Sequence, residues 1–121
     1  MSRLIVLQHI EREGPGLFSK VALKYKKEVI ICRLFLGETI PKLVDKDLLL
    51  VLGGPMGIRD LHTSTYPWLL KEVDFIKGAL KKGVGFIGVC LGAQLLAYAS
   101  GGLVRPLVIP NTNIEIAEIG W

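Results

Sequence analysis

Cysteine and histidine are scarce in this chain, with two of each in 121 residues. Cys32 and Cys90 lie far apart and form neither a zinc-ligand spacing nor a disulfide framework, so neither metal nor cofactor is expected. Aromatic residues make up 7% of the chain, and no basic stripe is interleaved with them. The net charge of +4 therefore reads as a lysine-rich solvated surface, with no nucleic-acid partner. Lys24, Lys26 and Lys27 close one predicted helix and Lys77, Lys81 and Lys82 another, where the helix macrodipole favours cations. No apolar run approaches the roughly 20 residues that cross a bilayer. After Met1-Ser2-Arg3-Leu4 there is no signal-peptide core with a small-residue cleavage site, so the expectation is a cytoplasmic chain with no membrane partner. Repeats, linkers and low-complexity segments are missing too, and half of the chain is hydrophobic, which excludes disorder.

What is present alternates in period. Apolar runs at 4–7, 29–31, 48–52 and 84–89 read as strands buried on both faces. Phe18, Val21, Ala22 and Tyr25 recur at helical spacing and predict a first helix with one buried stripe. Leu69, Val73, Ile76 and Leu80 predict a second helix, capped by Ser64 or Thr65, with Pro67 in its first turn and Gly83 as its stop. A third helix runs from Leu91 to Gly101-Gly102, and the tail reads as one or two strands around Pro110-Asn111. This order predicts an α/β fold, an open and mostly parallel sheet with helices on both faces. Reactive groups in such sheets gather beyond the carboxyl ends of the strands, where the loops at Gly53 and Cys90 both fall.

The sharpest feature is Gly88-Val89-Cys90-Leu91-Gly92. A nucleophile on a tight strand-to-helix turn needs small residues two before and two after it, because neighbouring main chains come too close for a Cβ. The helix starting at Leu91 aims unsatisfied N–H groups and its positive end at the sulfur, favouring the nucleophilic thiolate and offering donors to an oxyanion. A lone cysteine is usually a small buried hydrophobe, which is the reading for Cys32; the glycine flanks reverse it for Cys90. The second feature, Leu52-Gly53-Gly54-Pro55-Met56-Gly57, is either a tight turn or a place where backbone N–H groups approach a ligand. No Gly-Lys-Ser/Thr follows, so neither loop is a phosphate-binding P-loop.

These two loops, with Tyr66-Pro67-Trp68-Leu69, Leu7-Gln8-His9-Ile10-Glu11, Gly14-Pro15-Gly16, Arg33-Leu34-Phe35 and Glu118-Ile119-Gly120-Trp121, resemble the class I (triad) glutamine amidotransferases. The resemblance is strongest to stand-alone proteins similar to the amidotransferase half of GMP synthase, and it covers nearly the whole chain. It implies a flavodoxin-like fold and a single partial domain over residues 1–121. It implies a glutaminase in which Cys90 attacks the side-chain amide of glutamine, releasing ammonia and leaving a thioester for water. The Gly54 and Leu91 N–H groups would form the oxyanion hole, and Gly53 and Gln94 would contact glutamine.

The departure lies beyond Cys90. The family's triad needs a His and a Glu two residues later, well past the nucleophile, and no His-x-Glu follows Cys90 here. His9 reads as a turn or edge residue and His62 as a loop residue, neither a substitute base. Two explanations stand: a truncated or split product, or a shortened relative that serves as a non-catalytic binding or structural protein. A tail stopping mid-sheet leaves an apolar edge, so a homo-oligomer or partner chain is expected to cover it. A relative of the PfpI-type proteases is a weaker reading, opposed by Leu91 and the Gly-Gly-Pro loop.

Overall fold

A computed structural model describes residues 2–116. Four parallel strands form the sheet: β1 (Arg3–Gln8), β2 (Glu28–Arg33), β3 (Leu48–Val51) and β4 (Gly85–Gly88), in the order β2-β1-β3-β4. Among the described residues three α-helices accompany them: α1 (Leu17–Lys24), α2 (Leu69–Lys81) and α3 (Leu91–Ala99). The expected α/β fold with an open, mostly parallel sheet is present.

Strand alternation divides the core in two. Ile5, Leu7, Leu49 and Val51 point to one face, where α2 contributes Leu69, Val73 and Ile76 and α3 contributes Leu91 and Leu95. Burying one such side chain contributes about 1.5–3 kcal/mol, so this face anchors the domain. Leu4, Val6, Leu50 and Leu52 point to the other face, where Ala22 of α1 meets them.

α1 departs from the expected buried stripe. Only Ala22 is buried; Phe18 and Val21 are largely exposed, and Tyr25 lies past the last helical residue and is exposed as well. The helix touches the sheet through its one small residue, which leaves the larger neighbours at the rim. α2 keeps its stripe but begins later than expected, and neither Ser64 nor Thr65 caps it. The Leu69 N–H instead donates to the Tyr66 carbonyl at 3.1 Å, in the turn that holds Pro67. Gly83, with φ +71°, ends the segment as anticipated.

The tail forms β5 (Leu107–Val108) and β6 (Glu115–Ile116), an antiparallel ribbon separate from the main sheet. Its turn falls at Asn111, as expected, in the left-handed region at φ 61°. Glu118-Ile119-Gly120-Trp121 lies outside the described residues. No described helix is long and apolar enough to cross a membrane.

The start of β1 is fastened to the chain leading into β3 by Arg3. Its Nε and Nη2 donate to Asp47 Oδ1 and Oδ2 at 2.9 and 2.6 Å. Asp47 Oδ2 also accepts the Val44 N–H at 2.8 Å. The Arg3 hydrogen bonds hold the Asp47 carboxyl below its ordinary 3.8, against the opposing effect of burial and with help from Val44. Because the folded value is depressed, the stabilisation is fully present above pH 3.8 and is lost as pH falls through the folded value. Replacing Asp47→Asn is expected to cost about 1–3 kcal/mol near neutral pH. Urea unfolding of both proteins should show that gap closing as the buffer is acidified below the ordinary carboxylate range.

Candidate active site

β3 and β4 run in register, with Val51 opposite Gly88, and the Val89 N–H continues the ladder onto the Val51 carbonyl at 3.0 Å. Their carboxyl ends therefore deliver the Gly53-Gly54 loop and Cys90 side by side. A Cβ built on Gly53 would lie 3.3 Å from Cys90 Cβ and 3.9 Å from its Sγ. One built on Gly54 would lie 3.5 Å from Leu91 Cδ2. Gly53, Gly54, Cys90 and Leu91, singled out separately in the sequence, are thus one cluster.

Cys90 has φ 54° and ψ −110°, a conformation that costs a non-glycine residue on the order of 1–3 kcal/mol. The surrounding backbone holds it there. A Cβ on Gly92 would collide with the Val51 carbonyl oxygen, and one on Gly88 would come within 2.7 Å of the Gly92 carbonyl. Helix α3 can rest directly on β3 only because these positions carry no side chain.

Cys90 is the N-cap of α3, so its half-buried thiol stands at the positive end of the helix. Its carbonyl accepts the Ala93 and Gln94 N–H groups at 3.0 and 3.2 Å, and the Gly92 N–H goes to Val89 at 2.9 Å. Among the described residues no protein acceptor takes the N–H of Leu91 or of Gly54. Gln94 lies one turn into α3, half-buried. The other thiol, Cys32, is buried in the core, and burial pushes it up from its ordinary value, with the charge of Glu38 adding to the effect.

His9 follows β1 outside the strand, as expected, but it is fully buried rather than an edge residue. Its Nε2 lies 2.6 and 2.8 Å from the two oxygens of Glu72, itself buried in α2, and its Nδ1 lies 3.1 Å from the Gly53 carbonyl. Trp68 stacks on the ring, with centroids 5.6 Å apart and planes 19° apart, and Tyr66 meets Trp68 edge-on. His62 is exposed. Two acidic residues went unnoticed in the sequence. Glu72 was detectable, because it shares the helical face of Leu69, Val73 and Ile76, where a charge implies a buried partner. Glu13, whose Oε2 lies 3.7 Å from the Gly53 Cβ position, had no such signal. Among the described residues no group of His, Cys, Asp and Glu could hold a metal ion.

The glutamine amidotransferase class-I family profile matches residues 19–118. This chain belongs to that family. Over 74 residues it is 39% identical to a glutamine amidotransferase-like protein of Acanthamoeba polyphaga mimivirus, a stretch covering 61% of this chain and 35% of that one. It is 31% identical over 104 residues to the glutamine amidotransferase-like protein YfeJ of Salmonella typhimurium, covering 84% and 44% respectively. The crystal structure of a glutamine amidotransferase from Thermotoga maritima superposes with a TM-score of 0.74 at 30% identity, covering 83% of this chain and 43% of that one. One from Methylobacillus flagellatus gives 0.74 at 30% identity, covering 86% and 41%. The chain thus spans less than half the length of each of these relatives.

The glycine contacts make unequal predictions for two alanine substitutions. Gly92→Ala should prevent stable folding, because the obstacle is the β3 backbone, which cannot yield without breaking the sheet. Gly78→Ala, in α2 with nothing within 4 Å of the added Cβ, should stabilise by about 0.5–1 kcal/mol through helix propensity. Thermal unfolding followed by circular dichroism separates the two.

Proposed function

We propose that this chain is the nucleophile-bearing part of a glutaminase, similar to the amidotransferase half of GMP synthase, with Cys90 on a nucleophile elbow. The observation that carries the reading is the strained Cys90 backbone at the head of α3, with the Gly53-Gly54 loop against it and the Leu91 and Gly54 N–H groups open. The Cys90 thiolate would attack Cδ of glutamine, and the two N–H groups would hold the resulting oxyanion. Collapse breaks the C–N bond, the nitrogen leaves as ammonia after gaining a proton, and water cleaves the thioester to glutamate. Gly53 and Gln94 would line the glutamine site.

The proton transfers need a base, and these 121 residues offer none in the right place. No histidine follows Cys90, and both ring nitrogens of His9 are engaged. That favours a second reading beside the first: these residues alone bind without turning over, and the base comes from outside them. A partner chain, or a second copy, would cover the apolar side chains exposed on β4, just after it and in the tail, among them Ile87, Val89, Leu103 and Leu107. A chain that sediments as a clean monomer would count against a second copy.

Glutaminase turnover by the chain alone should fall about 10³-fold or more below that of a complete triad enzyme. The pocket is tested without turnover by a diazo-ketone analogue of glutamine and mass mapping of the adduct. Expected is modification of Cys90 and not of the buried Cys32, suppressed by excess glutamine. Absence of selective modification would remove the glutaminase reading and leave a structural one.

A further inference from the structure

We infer that His9 and Glu72 form a positioning pair, whose buried hydrogen bonds fix the Gly53–Gly54 peptide so that the Gly54 N–H faces the nucleophile. The inference rests on the proposed role of that N–H as an oxyanion donor.

The proton inventory leads to it. The Gly53 carbonyl oxygen only accepts, so His9 Nδ1, 3.1 Å away, must carry a hydrogen. Nε2 faces both carboxylate oxygens of Glu72, so one proton must lie between them. Whether it resides on the ring or on the carboxyl, Nδ1 remains a donor. Glu72 thereby selects the state of the ring that can hold the carbonyl. Without it, a neutral imidazole could place its single proton on Nε2 and turn a lone pair towards Gly53.

Topology gives the direction. β3 lies between β1, which ends just before His9, and β4, which ends just before Cys90. The loop after β3 therefore has the imidazole on one flank and the thiol on the other. Among the described residues no peptide is cis, so the Gly53 C=O and Gly54 N–H point in opposite directions. With the carbonyl held towards His9, the N–H is directed to the Cys90 side. The fit is close: a Cβ on Gly54 would lie 3.2 Å from His9 Cβ, and the stacked Trp68 ring limits rotation of the imidazole. Both side chains are fully or almost fully buried, away from any direct contact with a substrate.

The test compares two alkylations of Cys90. The diazo-ketone analogue of glutamine presents a carbonyl to the N–H groups; it takes up the thiol proton, forms the S–C bond and releases dinitrogen. Iodoacetamide forms its S–C bond by displacing iodide at a saturated carbon and builds no oxyanion. Glu72→Leu is expected to lower the diazo-ketone rate relative to the iodoacetamide rate by about 10-fold or more. Glu72→Gln should stay within about 3-fold of the parent, because its amide N–H can donate to Nε2 and keep the hydrogen on Nδ1. An unchanged ratio in a folded Glu72→Leu protein would overturn the inference. A parent chain that the diazo-ketone never modifies would instead defeat the glutaminase reading. Nitrogen-15 NMR of His9 in the unaltered chain decides the pairing in either case, and also if the leucine variant does not fold: a protonated Nδ1 supports it, and a bare Nδ1 overturns it.

Discussion

Helix α3 rests with its backbone directly on the backbone of β3, at the contact between Gly92 and the Val51 carbonyl. Everything at the site depends on that approach. It sets how far Cys90 projects beyond the sheet, forces the left-handed φ of that residue, and brings the first N–H groups of α3 level with the loop after β3. A strained residue such as Cys90 persists only where its surroundings over-determine it. Here they do so from three sides: the β3–β4 register, the Gly88–Gly92 contact, and Leu91 and Leu95 sunk into the core.

The Gly53-Gly54 loop needs a different kind of support, since two consecutive glycines lack the side-chain packing that would settle a peptide's orientation. The buried imidazole supplies it through a hydrogen bond, and α2 supplies the carboxylate that keeps the imidazole in its donating form. This explains a polar pair placed where the packing calls for leucine. Removing one partner from such a pair leaves a desolvated group unmatched, costing about 3–5 kcal/mol. The site and the second helix are therefore coupled through Glu72, although Glu72 is buried on the far side of His9.

Much of this was legible in the sequence. The runs around Leu49 and Ile5 carry no alternation, because both sheet faces are covered, and together with the order of strands and helices they indicated a parallel sheet. The glycines at 88 and 92 indicated a turn with no room for a Cβ, while Gly53-Gly54 alone left a tight turn and a loop bared for close approach both open. Three features were less accessible. The stripe of α1 follows helical periodicity, but periodicity does not report that the contact runs through Ala22 alone. The start of α2 depends on the Tyr66–Trp68 turn, which local capping propensity does not anticipate. His9 pairs with a residue 63 positions away, and a contact of that range has no local signature beyond the misplaced charge at Glu72.

The central claim is that the Gly54 and Leu91 N–H groups converge on one oxygen beside Cys90. The most direct measurement is a crystal structure of the chain carrying a glutamine-analogue ketone on the Cys90 sulfur. The account predicts the adduct oxygen at about 2.7–3.1 Å from both nitrogens, with the Gly53 carbonyl still on His9. An adduct oxygen turned to solvent, or a Gly53–Gly54 peptide flipped away from His9, would contradict it.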